Sequence, residues 1–316
     1  MAIYLTERDV TEILTMEDAL QAVEEAFRAK AEGSADCRNR ERLRGEGTVL
    51  SVMPASLPAS GVMGLKAYAG GAGGTQFVIV LFDARTAELL ALIEADRLGQ
   101  MRTGAASGLA TRLMARPEAD QLAVLGAGWQ ARSQIEAILA VRPIHMVRIY
   151  SPSGDRRERL AAEVRERYGV EAAAEENAEA AVRGADVVVT VTTAADPVLL
   201  GRWLKPGAHV NAVGSNRREH AEVDAEALER AAVVAVDDRA QARLEAGDFH
   251  RAFGEEGEGW SRVVELGEIL SGRLPGRPSP DAITLFESLG LGVEDVATAA
   301  RVYRKAMALG AGRRLD

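Results

Sequence analysis

The sequence predicts an α/β protein: a doubly wound parallel sheet, preceded by an α+β domain with strands of its own. Three observations predict it. From about residue 120 onward, apolar strand patterns alternate with helical ones, the signature of crossovers in a parallel sheet. Before residue 100, several strand patterns follow one another after a single early helix, which marks an antiparallel or mixed sheet. Finally, Gly126-x-Gly128-x-x-Ala131 stands between an apolar strand and the start of a helix.

The elements follow in order. Residues 15–30 put Met16, Ala19, Leu20, Val23 and Phe27 on one helical face, with Thr15 and Asp18 as its amino-terminal cap. Strands are predicted at 48–55, 62–70, 77–83 and 88–96, and residues 83–88 read as a hairpin connection. A small-residue helix over 99–115 is broken by "RPEAD". Strand 121–126, helix 129–141, strand 146–151 and a charged helix at 155–168 come next. Further buried strands are expected at 185–193, 209–215 and 233–238. The tail, 292–310, is a helix with Val296, Ala300, Tyr303 and Met307 on one face.

Composition bounds the function. A chain of 316 residues, 47% hydrophobic, can bury a large core and favours two domains. The sequence shows no signal peptide and no apolar run of membrane-spanning length, so a cytoplasmic protein is expected. Cys37 is the only cysteine, which rules out an internal disulfide and a thiolate cage. Histidines 145, 209, 220 and 250 lack metal-ligand spacing, so no metal is expected. A net charge of −9 argues against nucleic acid or an anionic membrane as partner, though not against a small anionic ligand. Only four of 38 basic residues are lysines, and Lys66 lies inside an apolar strand, which singles it out.

The glycines of the 126–131 turn allow a tight bend and close approach of a pyrophosphate, while the helix amino terminus offers its amide groups. Gly126, Ala127, Gly128, Trp129 and Gln130 are therefore candidate cofactor residues. An NAD-selective site usually carries Asp or Glu at the end of the second strand. Here stand Ser151 and Ser153, with Arg156 and Arg157 nearby and Asp155 as the opposing candidate. Hydroxyls and a cation suit a 2′-phosphate, so NADP(H) is favoured and NAD(H) is the alternative.

Taken together, "GVMGLKAY", "RTGAASG", "LGAGWQA", "AVGSN" and "ITLFESLG" resemble the ornithine cyclodeaminase/μ-crystallin family over nearly the whole chain. The resemblance implies a Rossmann domain over 113–292, inserted into a substrate-binding domain formed by 1–112 with 293–316. It also implies a homodimer whose N-terminal sheets associate across a two-fold axis. Lys66 matches the lysine at the substrate carboxylate and reacting centre. Arg40 most nearly matches the carboxylate-binding arginine, with Arg42 as competitor; arginine suits that task through its planar fork. Arg102 and Thr103 match a pair facing cofactor phosphates and substrate. Gln130 matches a pyrophosphate contact. Thr192 and Thr193 match the ribose region, Val213 and Gly214 belong to the "VGSN" strand end, and Ser288 with Leu289 matches the segment over the nicotinamide carboxamide.

No Ser/His/Asp or Cys/His constellation is readable. A nicotinamide site with a Lys/Arg pocket fits hydride transfer at the α-carbon of a small amino or imino acid. Cyclodeaminases of the family carry an aspartate where this chain has Asn216, and an amide cannot act as a general base. Glu219, His220 or Glu222 remain as proton acceptors in the following loop. The reading is an NADP(H)-dependent reductase of a cyclic imino acid such as pyrroline-2-carboxylate. Ornithine cyclodeaminase, an amino-acid dehydrogenase of the alanine dehydrogenase type, and a non-catalytic NADP-binding protein are the alternatives.

Overall fold

Thr6 and Thr15 begin the first two helices, α1 (Glu7–Ile13) and α2 (Met16–Ala31). Each hydroxyl accepts from the amide three residues on, and the Asp there returns a carboxylate to the cap's own amide, satisfying otherwise orphaned donors. The predicted face of α2, from Met16 to Phe27, is buried. The computed structural model describes residues 2–315. It divides into two units, Met1–Ala105 with Gly290–Asp316, and Ala106–Leu289.

In the first unit β1 (Ile3–Leu5) is followed by β2 (Asp36–Cys37), β3 (Glu41–Arg44), β4 (Val49–Leu57), β5 (Val62–Gly71), β6 (Gly74–Asp83) and β7 (Leu89–Glu94). The long strands β4 to β7 pair antiparallel, and β1 runs parallel to β7, giving the expected mixed sheet. Helix α3 (Asp96–Met114) follows, and the division between units falls within it.

The second unit alternates strand and helix: β8 (Gln121–Leu125), α4 (Trp129–Val141), β9 (Met146–Tyr150), α5 (Gly154–Tyr168), β10 (Glu171–Ala174), α6 (Ala178–Val182), β11 (Val187–Thr190) and β12 (His209–Ala212). It closes with α7 (Ala225–Arg230), β13 (Ala231–Val236), α8 (Arg239–Glu245), α9 (Gly247–Phe253), β14 (Val263–Glu265), α10 (Leu266–Leu270) and β15 (Ile283–Glu287). All pairs in this sheet are parallel, in the order β10-β9-β8-β11-β12-β15-β13-β14. The order reverses between β8 and β11, the switch point where such sheets receive ligands. Leu122 and Val124 join the apolar core on one face; Ala123 and Leu125 join that on the other.

The chain returns to the first unit with α11 (Gly292–Leu309) and the short β16 (Arg313–Arg314) beside β1. Helix α11 packs on α2, β4 and β5. Met53, Lys66 and Ile79 are register neighbours on the buried face of that sheet. Val52, Pro54, Leu65, Ala67, Val78, Val80 and Leu92 alternate onto the opposite face and stay half-exposed.

Three readings change. Strand β11 stops at Thr190 rather than 193, and β12 at Ala212 rather than 215. Beyond both ends, backbone amides are taken up by a side chain, Glu222, in place of a neighbouring strand. On α11 every residue from Gly292 to Ala300 is buried, whereas Met307 is half-exposed, so the helix is not one simple amphipathic face.

Candidate active site

A lysine on an apolar strand needs a counterion, and the first unit supplies it from α11. Lys66 Nζ donates to Asp295 Oδ1 at 2.9 Å and lies 2.8 Å from Oδ2. Arg102, on α3, donates from Nε to the same Oδ1 at 2.9 Å and from Nη1 to Glu294 Oε2 at 3.1 Å. Glu294 Oε1 accepts from the Leu291 amide, so both acids sit in the first turn of α11, where the helix dipole favours them. Arg40 is buried beside this group and donates to the Gly290 carbonyl at 3.2 Å.

Burial first and the Arg102 charge second lower the Lys66 pKa, Asp295 opposes both, and the result is about 8. Burial likewise raises the Glu294 carboxyl, against the pull of Arg102. Lys66 and Arg102 thus share Asp295, Arg102 also holds Glu294, and the Arg40 guanidinium lies near enough to act on the Lys66 charge.

The remaining predicted substrate residue lies elsewhere. Arg42 is exposed on the edge strand β3. Thr103, half-buried on α3, spends its hydroxyl on the Gly99 carbonyl at 2.7 Å. Asp295 and Glu294 were not singled out by sequence. The available signal was two acids in the opening turn of a helix otherwise rich in Val and Ala.

In the second unit Gly126 has φ +123°, and a Cβ there would fall 2.4 Å from the Val191 carbonyl oxygen. Only glycine permits this approach of the turn to Val191, just past the end of β11. Helix α4 begins at Trp129 with Gly128 as its cap and no side chain capping its amides. Those amides suit a pyrophosphate. Ala127 and Gln130 are half-buried, while Gly128 and Trp129 are exposed. Two buried polar atoms without a partner, Gln130 Oε1 and Ser288 Oγ, fall on predicted cofactor residues. Buried polar atoms normally find partners, so these fit a ligand's polar groups.

At the end of β9, Ser151 is buried and its hydroxyl donates to the Ser153 carbonyl. Arg157 donates to the Ser151 carbonyl at 3.0 Å, while Ser153, Asp155 and Arg156 are exposed. Thr192 is half-buried and Thr193 exposed, after β11. Val213, Gly214 and Asn216 are half-buried after β12, and Ser215 is buried. Ser288 follows β15, its amide donating to the Ala212 carbonyl. Of the three acceptors left open in the loop after β12, only Glu222 is buried; Glu219 is exposed and His220 half-exposed. Among the described residues no group of His, Cys, Asp and Glu is arranged to hold a metal, and no helix is long and apolar enough to cross a membrane.

A parallel sheet with a phosphate turn at its switch point, and a cationic pocket on the other unit, define a class: two-unit oxidoreductases that use a nicotinamide dinucleotide. The chain belongs to the ornithine cyclodeaminase/mu-crystallin family, whose sequence model matches residues 2–309. It is 39% identical over 241 residues to a Delta(1)-pyrroline-2-carboxylate reductase of Bacillus cereus, across 76% of this chain and 74% of that one. The Delta(1)-pyrroline-2-carboxylate reductase of Thermococcus litoralis, solved in complex with NADH and L-proline, matches with a TM-score of 0.95 and 31% identity, over 99% of this chain and 100% of that one. An archaeal alanine dehydrogenase dimer with bound NAD matches at 0.94 and 33%, over 100% and 99%.

Proposed function

We propose that this protein is an imine reductase that converts a small cyclic imino acid, such as Δ1-pyrroline-2-carboxylate, to the α-amino acid with NADPH. The observation that carries it is the buried cluster of Arg40, Lys66 and Arg102, in which Lys66 and Arg102 are held by one carboxylate, Asp295. The relatives that are reductases of this substrate point the same way.

Bound reduced nicotinamide supplies the hydride. The rest falls to the chain. Arg40 holds the substrate carboxylate through its planar fork. Lys66 keeps a proton at neutral pH, yet with a pKa of about 8 it is a stronger acid than an ordinary lysine. It hydrogen-bonds the imine nitrogen and gives up its proton as the nitrogen becomes an amine. Asp295 orients the ammonium and keeps it charged before substrate arrives. The carbon gains a hydride, the nitrogen a proton, and Lys66 is reprotonated from solvent. Asn216 offers a hydrogen bond where a cyclodeaminase would carry a base.

NADP(H) is the preferred cofactor on this reading, because Ser151 replaces an acid at the end of β9 while Ser153 and Arg156 lie exposed beside it. The first unit binds substrate and the second the dinucleotide. The first unit also forms a homodimer through the half-exposed face of its sheet. There Val52–Ala67–Val78 and Pro54–Leu65–Val80–Leu92 form adjacent cross-strand rows, an apolar surface of the kind that marks an interface.

The purified protein would be incubated with NADPH and Δ1-pyrroline-2-carboxylate, with NAD⁺ and L-ornithine, and with NADH, pyruvate and ammonia. Oxidation of NADPH with formation of proline supports the proposal. Ammonia released from ornithine without net NADH would overturn it. Turnover of pyruvate alone would identify an alanine dehydrogenase instead.

A further inference from the structure

The segments read as receiving the nicotinamide half of the cofactor are Thr192, Val213–Gly214 and Ser288–Leu289, at the carboxyl ends of β11, β12 and β15. Behind them lie four buried carboxyl groups: Glu222, Asp237, Asp248 and Glu287. Glu222 Oε1 accepts from the Thr192 amide and Oε2 from the Gly214 amide, each at 2.6 Å. One carboxylate therefore staples two neighbouring strand ends. Asp248 Oδ1 in turn accepts from the Glu222 and Val223 amides at 2.7 and 2.8 Å. Asp237 Oδ2 accepts from the Leu289 amide at 2.7 Å, and Asp248 lies near enough to Glu287 to raise its carboxyl.

The residue type matters. A carboxylate accepts at both oxygens, whereas a glutamine in the same place would turn an NH₂ group toward one of the two amides. The fit is also close: a Cβ on residue 214 would fall 2.4 Å from both Glu222 Oε1 and the Thr192 carbonyl oxygen. Burying an acid here is unfavourable. Desolvation raises the Glu222 carboxyl to about 7 against its amide donors, and Glu287 is pushed well above its ordinary value by burial and by its acidic neighbours. Among the described residues no cation forms a salt bridge with Glu222, so its two amide donors are what hold it there.

We propose that Glu222 is the positioning residue of the nicotinamide half-site, setting the spacing of Thr192 and Gly214 while Asp248, Glu287 and Asp237 hold it and the Ser288–Leu289 segment in one frame. The proposal rests on the reading of this unit as dinucleotide-binding. On this reading Glu222 acts through the Thr192 and Gly214 amides.

Calorimetry on the full chain tests it. NADPH and NADH would be titrated into wild type and Glu222→Gln, alongside 2′,5′-ADP and ADP, which occupy only the adenosine half. The expected result is a loss of about tenfold or more for the dinucleotides, with the ADP ligands within about twofold. Equal dinucleotide affinity in the variant, or equal loss for both ligand types, would overturn the proposal. Absence of all binding in wild type would instead remove the dinucleotide reading beneath it. Should Glu222→Gln not fold, Gly214→Ala displaces the same carboxylate and is expected to give the same split. Failure of both variants to fold would assign Glu222 to folding and likewise overturn the proposal.

Discussion

Asp295 brackets the Lys66 ammonium with both carboxylate oxygens, at 2.9 and 2.8 Å, although the two residues are 229 positions apart. The same carboxylate holds Arg102 Nε at 2.9 Å. A single acid on α11 thus fixes two buried cations at once, and the protonation of Lys66 depends on it.

The first consequence is a pH dependence. If Lys66 is the proton donor proposed, it acts while protonated, so activity should be present below its pKa of about 8 and fall as pH rises through that value. Asp295 raises that pKa against burial, so Asp295→Asn should move the descending limb to lower pH. Rate profiles of wild type and variant check this, and an unmoved limb would separate Lys66 from the proton transfer.

Lys66→Met removes the acid and leaves the second unit untouched. Turnover of the imino acid should drop by about 100- to 10,000-fold, the range typical of a general acid. NADPH affinity by calorimetry should stay within about twofold. Full activity in this variant would exclude Lys66 from the site.

Arg40 and Arg42 separate cleanly. Arg40 is buried at the cationic pocket and Arg42 is exposed on β3. Arg40→Ala should raise the substrate KM by about tenfold or more, the cost of a lost charge-assisted hydrogen bond. Arg42→Ala should change it by less than about twofold, as expected of a solvated side chain. The reverse pattern would transfer the carboxylate contact to Arg42.

On the proposed NADP(H) reading, cofactor choice turns on Arg156, exposed in the first turn of α5. Arg156→Ala should raise the KM for NADPH by about tenfold and leave that for NADH unchanged, since only NADPH carries the 2′-phosphate. A wild type that prefers NADH would contradict the NADP(H) reading directly.

The apolar sheet face can be tested by charge. Val80 lies in register between Leu65 and Leu92, half-exposed. Val80→Asp should convert a dimer to a monomer in light scattering, because an unpaired carboxylate buried in an interface is strongly unfavourable. A wild type that already scatters as a monomer would sink the dimer.

The sequence by itself determined what depends on contiguous residues. The phosphate turn was legible because glycine spacing, strand and helix lie within one short stretch, and Gly126 is where the structure leaves no room for a Cβ. Lys66 was legible because a charge in an apolar strand contradicts its surroundings. The alternation of patterns gave the two sheets for the same reason: period and turn chemistry are local. What only the tertiary structure decided is which charges meet. Asp295 and Glu294 look in sequence like an ordinary acidic helix start, which the helix dipole alone would explain. Arg40 and Arg42 differ by two positions, yet packing buries one and exposes the other. Glu219, His220 and Glu222 were equivalent in a loop until folding carried Glu222 beneath two strand ends. A charge takes its role from its partner and from the loss of water around it, and both come from residues distant along the chain.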